Sequence, residues 1–249
     1  LKNLEMPIPV AMILGGLVAA LFAFLIGIPV LRLKSDYLAI ATLGFAEVVR
    51  IVVASSPLNR VTNGSMGMTM IPGFKSYYGI FVVVIVCIAL IALLMRSTYG
   101  RAFKAIRDDE IAAEAMGINL FLHKQLSFVI SSFFAGVGGA LLAMYQTTVQ
   151  ANAFKSSMTY EILLIVVIGG MGSVTGSVIA SFLFIACSEW LLRFLDVEQF
   201  IGSVQVPLLR SGFRMVVFSI VIMIVVLFFR KGIMGDKELS LSWLTGGKK

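Results

Sequence analysis

Gly100-Arg101-Ala102-Phe103-Lys104-Ala105-Ile106-Arg107-Asp108-Asp109-Glu110-Ile111-Ala112-Ala113-Glu114-Ala115-Met116-Gly117-Ile118 packs seven charges between two long apolar stretches, in a chain that otherwise avoids charge. It reads as a helical loop that a membrane domain presents on its cytoplasmic side. Asp108 and Asp109 are placed to cap a short helix through its free amide groups. Ile111, Ala112, Ala115 and Met116 supply small or apolar contact area, and Gly117 suits a left-handed ending. Such a helix fits a groove in a partner. The plainer alternative is a solvated amphipathic loop whose basic residues orient the protein.

Composition agrees with a membrane setting. Hydrophobic residues make up 59% of the 249 and charged ones 13%, about half the charged fraction of roughly 25% found in soluble proteins. Apolar windows recur along the whole length, each longer than the roughly 7–15-residue core of a signal peptide. A transmembrane helix needs about 20 mostly apolar residues, because lipid offers its backbone no hydrogen-bond partner. Seven crossings are expected, near 9–31, 37–54, 77–95, 124–147, 157–171, 175–194 and 212–229. No connection is long enough for a soluble domain, so residues 1–249 read as one all-α polytopic transmembrane bundle.

Charge sets the orientation. Arg96, Arg101, Lys104, Arg107 and Lys124 flank the connection 96–123, and Arg230, Lys231, Lys237, Lys248 and Lys249 follow the last span. The positive-inside rule puts both in the cytoplasm, with a cytoplasmic C-terminus and an external residue 1. An external start at Leu1 suggests that one or more upstream N-terminal spans precede this sequence. The formal charge of +7 is explained by this clustering beside apolar spans; no stacking aromatics interleave with it, so nucleic acid is not an expected partner.

Three further patterns bear on architecture. Gly15, Ala19, Ala23 and Gly27 line one helix face, and Ser131, Ala135, Gly139 and Ala143 line another beside Ser132, Gly136 and Ala140. Stripes of this kind let backbones approach closely. Gly169-Gly170-Met171-Gly172-Ser173-Val174-Thr175-Gly176 interrupts a tract too long for one crossing, as either an unwound segment lining a substrate route or a tight cytoplasmic turn. Charge inside spans is scarce, so Glu47 with Arg50 and Glu189 with Arg193 are candidates for a permeation path, or else structural and interfacial pairs.

No catalytic or metal-ligating constellation is expected. Cys87 and Cys187 sit in apolar runs, and His123, the one histidine, stands at the cytoplasmic edge of a span. The phosphate cradle G-x-x-x-x-G-K-[ST] does not occur in these residues; Gly246-Gly247-Lys248-Lys249 has neither the earlier glycine nor a following helix.

The stretch Arg32-Leu33-Lys34-Ser35-Asp36-Tyr37-Leu38-Ala39-Ile40-Ala41-Thr42-Leu43-Gly44-Phe45-Ala46-Glu47-Val48-Val49-Arg50 resembles a hallmark of the permeases of bacterial branched-chain amino acid ABC importers, LivM type. Thr62-Asn63-Gly64-Ser65-Met66-Gly67 is similar to the family's external glycine motif, with Asn63 where a third glycine is common. Gly100 to Ile118 resembles the coupling loop, Ile168 to Gly176 the glycine turn, and Arg230-Lys231-Gly232-Ile233-Met234-Gly235 the usual ending.

The resemblance implies an importer working by alternating access. It implies a heterodimer with a second permease subunit, two ATP-binding subunits that hold ATP and magnesium, and a periplasmic or lipoprotein substrate-binding protein, in the bacterial inner membrane. This chain would hold no cofactor and would not itself hydrolyse ATP. Arg101, Arg107, Glu110, Ala112, Ala113 and Gly117 are its expected ATPase-coupling residues. Tyr37, Thr42, Glu47, Arg50, Gly169, Gly170 and Gly172 are its expected translocation path. The alternatives are a urea or short-chain amide permease of the same group, and a secondary transporter or channel that uses Glu47 and Arg50 as coupling charges.

Overall fold

The computed structural model describes residues 7–33, 35–55, 57, 62–73, 77–187, 200–201, 204–205, 223 and 232–235. The chain divides into two compact units, Leu1–Met158 and Thr159–Lys249. The described elements are helical apart from the antiparallel pair Phe200–Ile201 with Val204–Gln205 and one isolated bridge.

Within the first unit, helices α1 (Ile8–Val30), α2 (Ser35–Ala54) and α3 (Tyr77–Arg96) are followed by α4 (Thr98–Asp108), α5 (Glu110–Ala115) and α6 (Leu120–Gln146). Four of these are long and apolar enough to cross a membrane: α1, α2 from Tyr37, α3 from Tyr78, and α6. At 1.5 Å per residue, α1 spans about 34 Å, enough for a hydrocarbon core of about 30 Å. Their outer surfaces are apolar, with Leu21 59% exposed on α1 and Ile85 63% exposed on α3. In water such surface would oppose folding; against lipid tails it costs nothing.

The main contact is between α1 and α6. A Cβ added to Gly136 would stand 2.7 Å from Ala19 Cβ and 2.9 Å from Gly15 O; one added to Gly16 would stand 2.8 Å from the Phe133 ring. The backbones are therefore as close as glycine allows. Around this seam Met12, Val137, Leu141 and Met144 form the buried cluster, joined by Ile71, Val83 and Cys87.

Gln125 is buried in the same seam and donates from Nε2 to Phe24 O at 2.9 Å. Its Oε1 has no hydrogen-bond partner among the described residues, and it fits only because position 27 is glycine, whose added Cβ would lie 2.5 Å away. Losing one hydrogen bond and one orphan acceptor together is close to neutral, whereas overpacking costs about 1–3 kcal/mol. Gln125→Leu is therefore expected to leave the thermal midpoint in detergent nearly unchanged, and Gly27→Val to lower it clearly.

The connections around 62–73 and 147–153 fold against one another. Met68 and Val149 exchange backbone hydrogen bonds at 2.8 Å each, and Ile71 N donates to Thr147 O at 3.0 Å. A Cβ on Gly67 would collide with Val149 O, so the bridge requires glycine there. Asn63 has φ 57°, a left-handed conformation that asparagine tolerates better than most residues, and its Nδ2 donates to Gly67 O at 3.0 Å. The asparagine thus does what a glycine at this position would do.

In the second unit, α7 (Ser156–Gly169) and α8 (Val174–Ile185) have 14 and 12 residues and are bent by 119° at the glycine cluster. That is the geometry of a broken span or a re-entrant loop, where the sequence suggested two separate crossings at 157–171 and 175–194. The crossing expected at 212–229, apart from Met223, lies outside the described residues, as do Glu189 and Arg193.

Candidate coupling loop and intramembrane polar pair

The charged loop is a pair of helices. Ser97 begins α4, its Oγ accepting from Gly100 N at 3.3 Å, and a Cβ on Gly100 would come within 2.5 Å of Leu94 O. The corner between α3 and α4 is therefore tight. Ile106, 7% exposed, turns the apolar side of α4 inward, while Arg101 and Arg107 lie on its exposed side. Arg101 donates to Thr98 Oγ1 at 3.1 Å, and Arg107 is paired with Asp108 at 2.9 Å.

Of the two candidate caps for the short helix, the structure selects Asp109. Its Oδ1 accepts from Ile111 N at 2.9 Å and Ala112 N at 3.0 Å, satisfying two of the free donors at the start of α5. At the other end Gly117 has φ +83°, with Gly117 N donating to Glu114 O and Ile118 N to Ala113 O. Those bonds close the helix as glycine endings usually do.

Glu110 ties α5 to the next span through an ion pair with Lys124 at 2.7 Å. Ala113 is 4% exposed and Ala112 faces solvent, so these adjacent residues differ in role. Ile111 and Met116 are 82% and 83% exposed. Behind them, His123 lies 6.3 Å from both the Tyr99 and Phe103 rings and donates from Nδ1 to Asn119 O at 2.9 Å. Arg32 stands 5.5 Å above the Phe121 ring. The result is a short helix, capped at both ends and pinned beneath, that holds two large apolar side chains outward. Neither the Lys124 tether nor the packing of His123 beside Tyr99 and Phe103 was read from the sequence; the charge at Lys124 was the available signal.

On α2, Arg50 donates through Nε to Glu47 at 2.9 Å and pairs with it again through Nη2, while Nη1 reaches Asn152 Oδ1 at 3.4 Å. Asn152 belongs to a 3-10 turn, Ala151–Ala153, that packs on α2. The sequence paired Glu47 with Arg50 by spacing but gave no sign of Asn152. Thr42 bonds back to Ala39 O at 2.9 Å and Tyr37 is 66% exposed, so neither joins this cluster.

Gly169 and Gly170 are buried, and a Cβ on Gly169 would lie 2.7 Å from the Gly176 backbone. Ser173 caps α8 by accepting from Gly176 N at 3.0 Å. Gly172 lies in the turn between the two helices. Among the described residues no group of three or more His, Cys, Asp or Glu side chains is placed to hold a metal ion.

Comparison with known proteins supplies the remaining observation. Residues 1–229 match the family described as "Branched-chain amino acid transport system / permease component". The chain is 34% identical over 215 residues to the high-affinity branched-chain amino acid transport system permease protein LivM of Salmonella typhimurium, and equally to LivM of Escherichia coli K12. Each alignment covers 73% of this chain and 50% of the relative, so the chain spans about half the length of these curated relatives. The probable branched-chain amino acid transport permease protein LivM of Methanocaldococcus jannaschii is 25% identical over 249 residues, covering 95% of this chain and 69% of that protein. No solved structure is matched. Apolar helices of membrane-spanning length and a family match over most of the sequence agree: this multi-pass membrane protein belongs to the branched-chain amino acid transport system permease-component family.

Proposed function

We propose that the chain is the membrane-spanning permease subunit of an ATP-driven, binding-protein-dependent importer of branched-chain amino acids. The observation that carries the coupling half of this reading is α5, whose caps and tether hold Ile111 and Met116 outward. Among the described residues nothing covers that apolar surface. A cleft in a separate ATPase would bury it.

In this reading the ATPase subunits bind ATP and magnesium, and their closure displaces α4 and α5. The Glu110–Lys124 ion pair passes the displacement into α6, and the α1–α6 seam carries it toward the bilayer midplane. Nucleotide can drive the cycle only by binding the two permease states differently. A second permease subunit completes the translocation path, and an external binding protein delivers the solute. The Glu47–Arg50 pair, with Tyr37 and Thr42, belongs to that path, and Gly169, Gly170 and Gly172 set the corner between α7 and α8. The assembly lies in the bacterial inner membrane with this chain's C-terminus in the cytoplasm.

Reconstitution with the companion subunits and binding protein tests the reading. Leucine uptake is expected to require ATP. Glu110→Lys sets two ammonium groups against each other at the α5 tether, and is expected to cut uptake about tenfold while ATP hydrolysis continues. Uptake by the permease alone, driven by an ion gradient, contradicts the proposal, and so does normal coupling in Glu110→Lys.

A further inference from the structure

The last four carbonyls of a helix have no partner inside it, and at a break in a membrane helix water is not a ready substitute. At the end of α7 the chain's own C-terminal segment does this work. Ile233 N donates to Ile168 O at 2.7 Å and Met234 N donates to Gly169 O at 3.3 Å. The segment reaches the carbonyls because it passes glycine against glycine. A Cβ on Gly232 would stand 2.5 Å from Gly170 N and 2.8 Å from Val167 O, and Gly232 has φ +75°.

The same segment touches the first turn of α8 through Met234. Thr175 Oγ1 lies 3.7 Å from Met234 Sδ, and a Cβ on Gly176 would stand 3.2 Å from Met234 Cβ. Gly169 and Gly176 meet backbone to backbone beneath. Three pieces of chain thus share one knot: the end of α7, the start of α8 just after it, and residues 232–235, distant in sequence, which follow the final predicted crossing.

We propose that Gly232, Ile233 and Met234 are positioning residues for transport, forming a strap that keeps the α7–α8 corner folded through the whole cycle. The corner and the C-terminal segment then move as one body, and the glycine break does not unwind to admit solute. Its glycines serve close packing, and the solute meets side chains of the helices the corner positions. The functional part of this inference rests on the transport reading above; the placement of the strap does not.

The test uses the assembled transporter in proteoliposomes, with Cys87→Ala and Cys187→Ala as the parent. Thr175→Cys with Met234→Cys is then oxidised. Disulfide formation, scored in membranes irrespective of any solute, reads the strap alone, whereas failure of the parent to take up leucine counts against the importer assignment. The expected result is a disulfide with leucine uptake within about twofold of the reduced protein. Two results overturn the proposal: no disulfide, or a disulfide that blocks uptake until reductant restores it, which marks a strap that must open. Gly232→Ala, which loosens the knot, is expected to raise the ATP hydrolysed per leucine imported by about tenfold. A purely structural role lowers hydrolysis and uptake together, and an unchanged ratio in Gly232→Ala also overturns the proposal.

Discussion

Replacing Ile111 and Met116 together by aspartate is expected to abolish ATP-coupled uptake while leaving the permease folded. Both side chains are more than four-fifths exposed, so the isolated chain loses little by the change. The complex loses much. A well-buried apolar anchor at a protein interface contributes about 2 kcal/mol or more, and an unpaired carboxylate in its place adds a desolvation cost. Two such changes weaken binding of the ATPase subunit by about a thousandfold or more. Affinity measured in detergent and uptake measured in vesicles should fall together, with the thermal midpoint of the permease unchanged. Unaltered affinity in the double variant removes α5 from the interface.

The second large effect concerns folding. Gly136→Val is expected to prevent accumulation of folded protein, because the new Cβ meets Ala19 Cβ at 2.7 Å, Gly15 O at 2.9 Å and Gly16 Cα at 3.0 Å. Two of those neighbours are backbone atoms that cannot rotate away. Overpacking of about 1–3 kcal/mol is the usual cost in a core, and rigid backbone on both sides puts this site at the upper end or beyond. Gly138→Ala provides the contrast: nothing lies within 4 Å of its added Cβ, and alanine favours a helix over glycine by up to about 1 kcal/mol. Yield of monodisperse protein and thermal midpoint in detergent separate the two variants. Equal yields would mean that α1 and α6 are not packed as described.

These two sites also show how far the sequence reaches. Spacing alone placed Gly15, Ala19, Ala23 and Gly27 on one face, and that face does meet α6: Gly15 stands against Ala140 and Gly136, and Gly27 against Gln125. On α6 the sequence offered two stripes. The structure uses the one with Gly136 and Ala140, while Gly139 of the other has nothing within 4 Å of its added Cβ. Helical periodicity puts residues on a face without saying which face finds a neighbour, so that choice needed the fold.

The charged loop was legible for a related reason. Its capping chemistry is local, and a carboxylate two or three residues before a free amide can be read from order alone. Asp109 rather than Asp108 takes the cap, a one-residue distinction set by backbone geometry. Contacts between distant segments were not legible. Asn152 beside Arg50, Lys124 beside Glu110 and Ile233 beside Ile168 each bring together segments whose pairing no spacing rule encodes. The 119° bend between α7 and α8 falls in the same class: the glycines announced a break, and its angle depends on what packs against them.

Crosslinking from α5 tests the central claim most directly. With a photoreactive side chain at position 116 in the native membrane, the account predicts a covalent adduct to a subunit carrying a phosphate-loop motif, with a yield that changes when ATP is added. A contradictory result is labelling of Lys104 by an impermeant reagent from the external side, with no ATPase adduct from position 116.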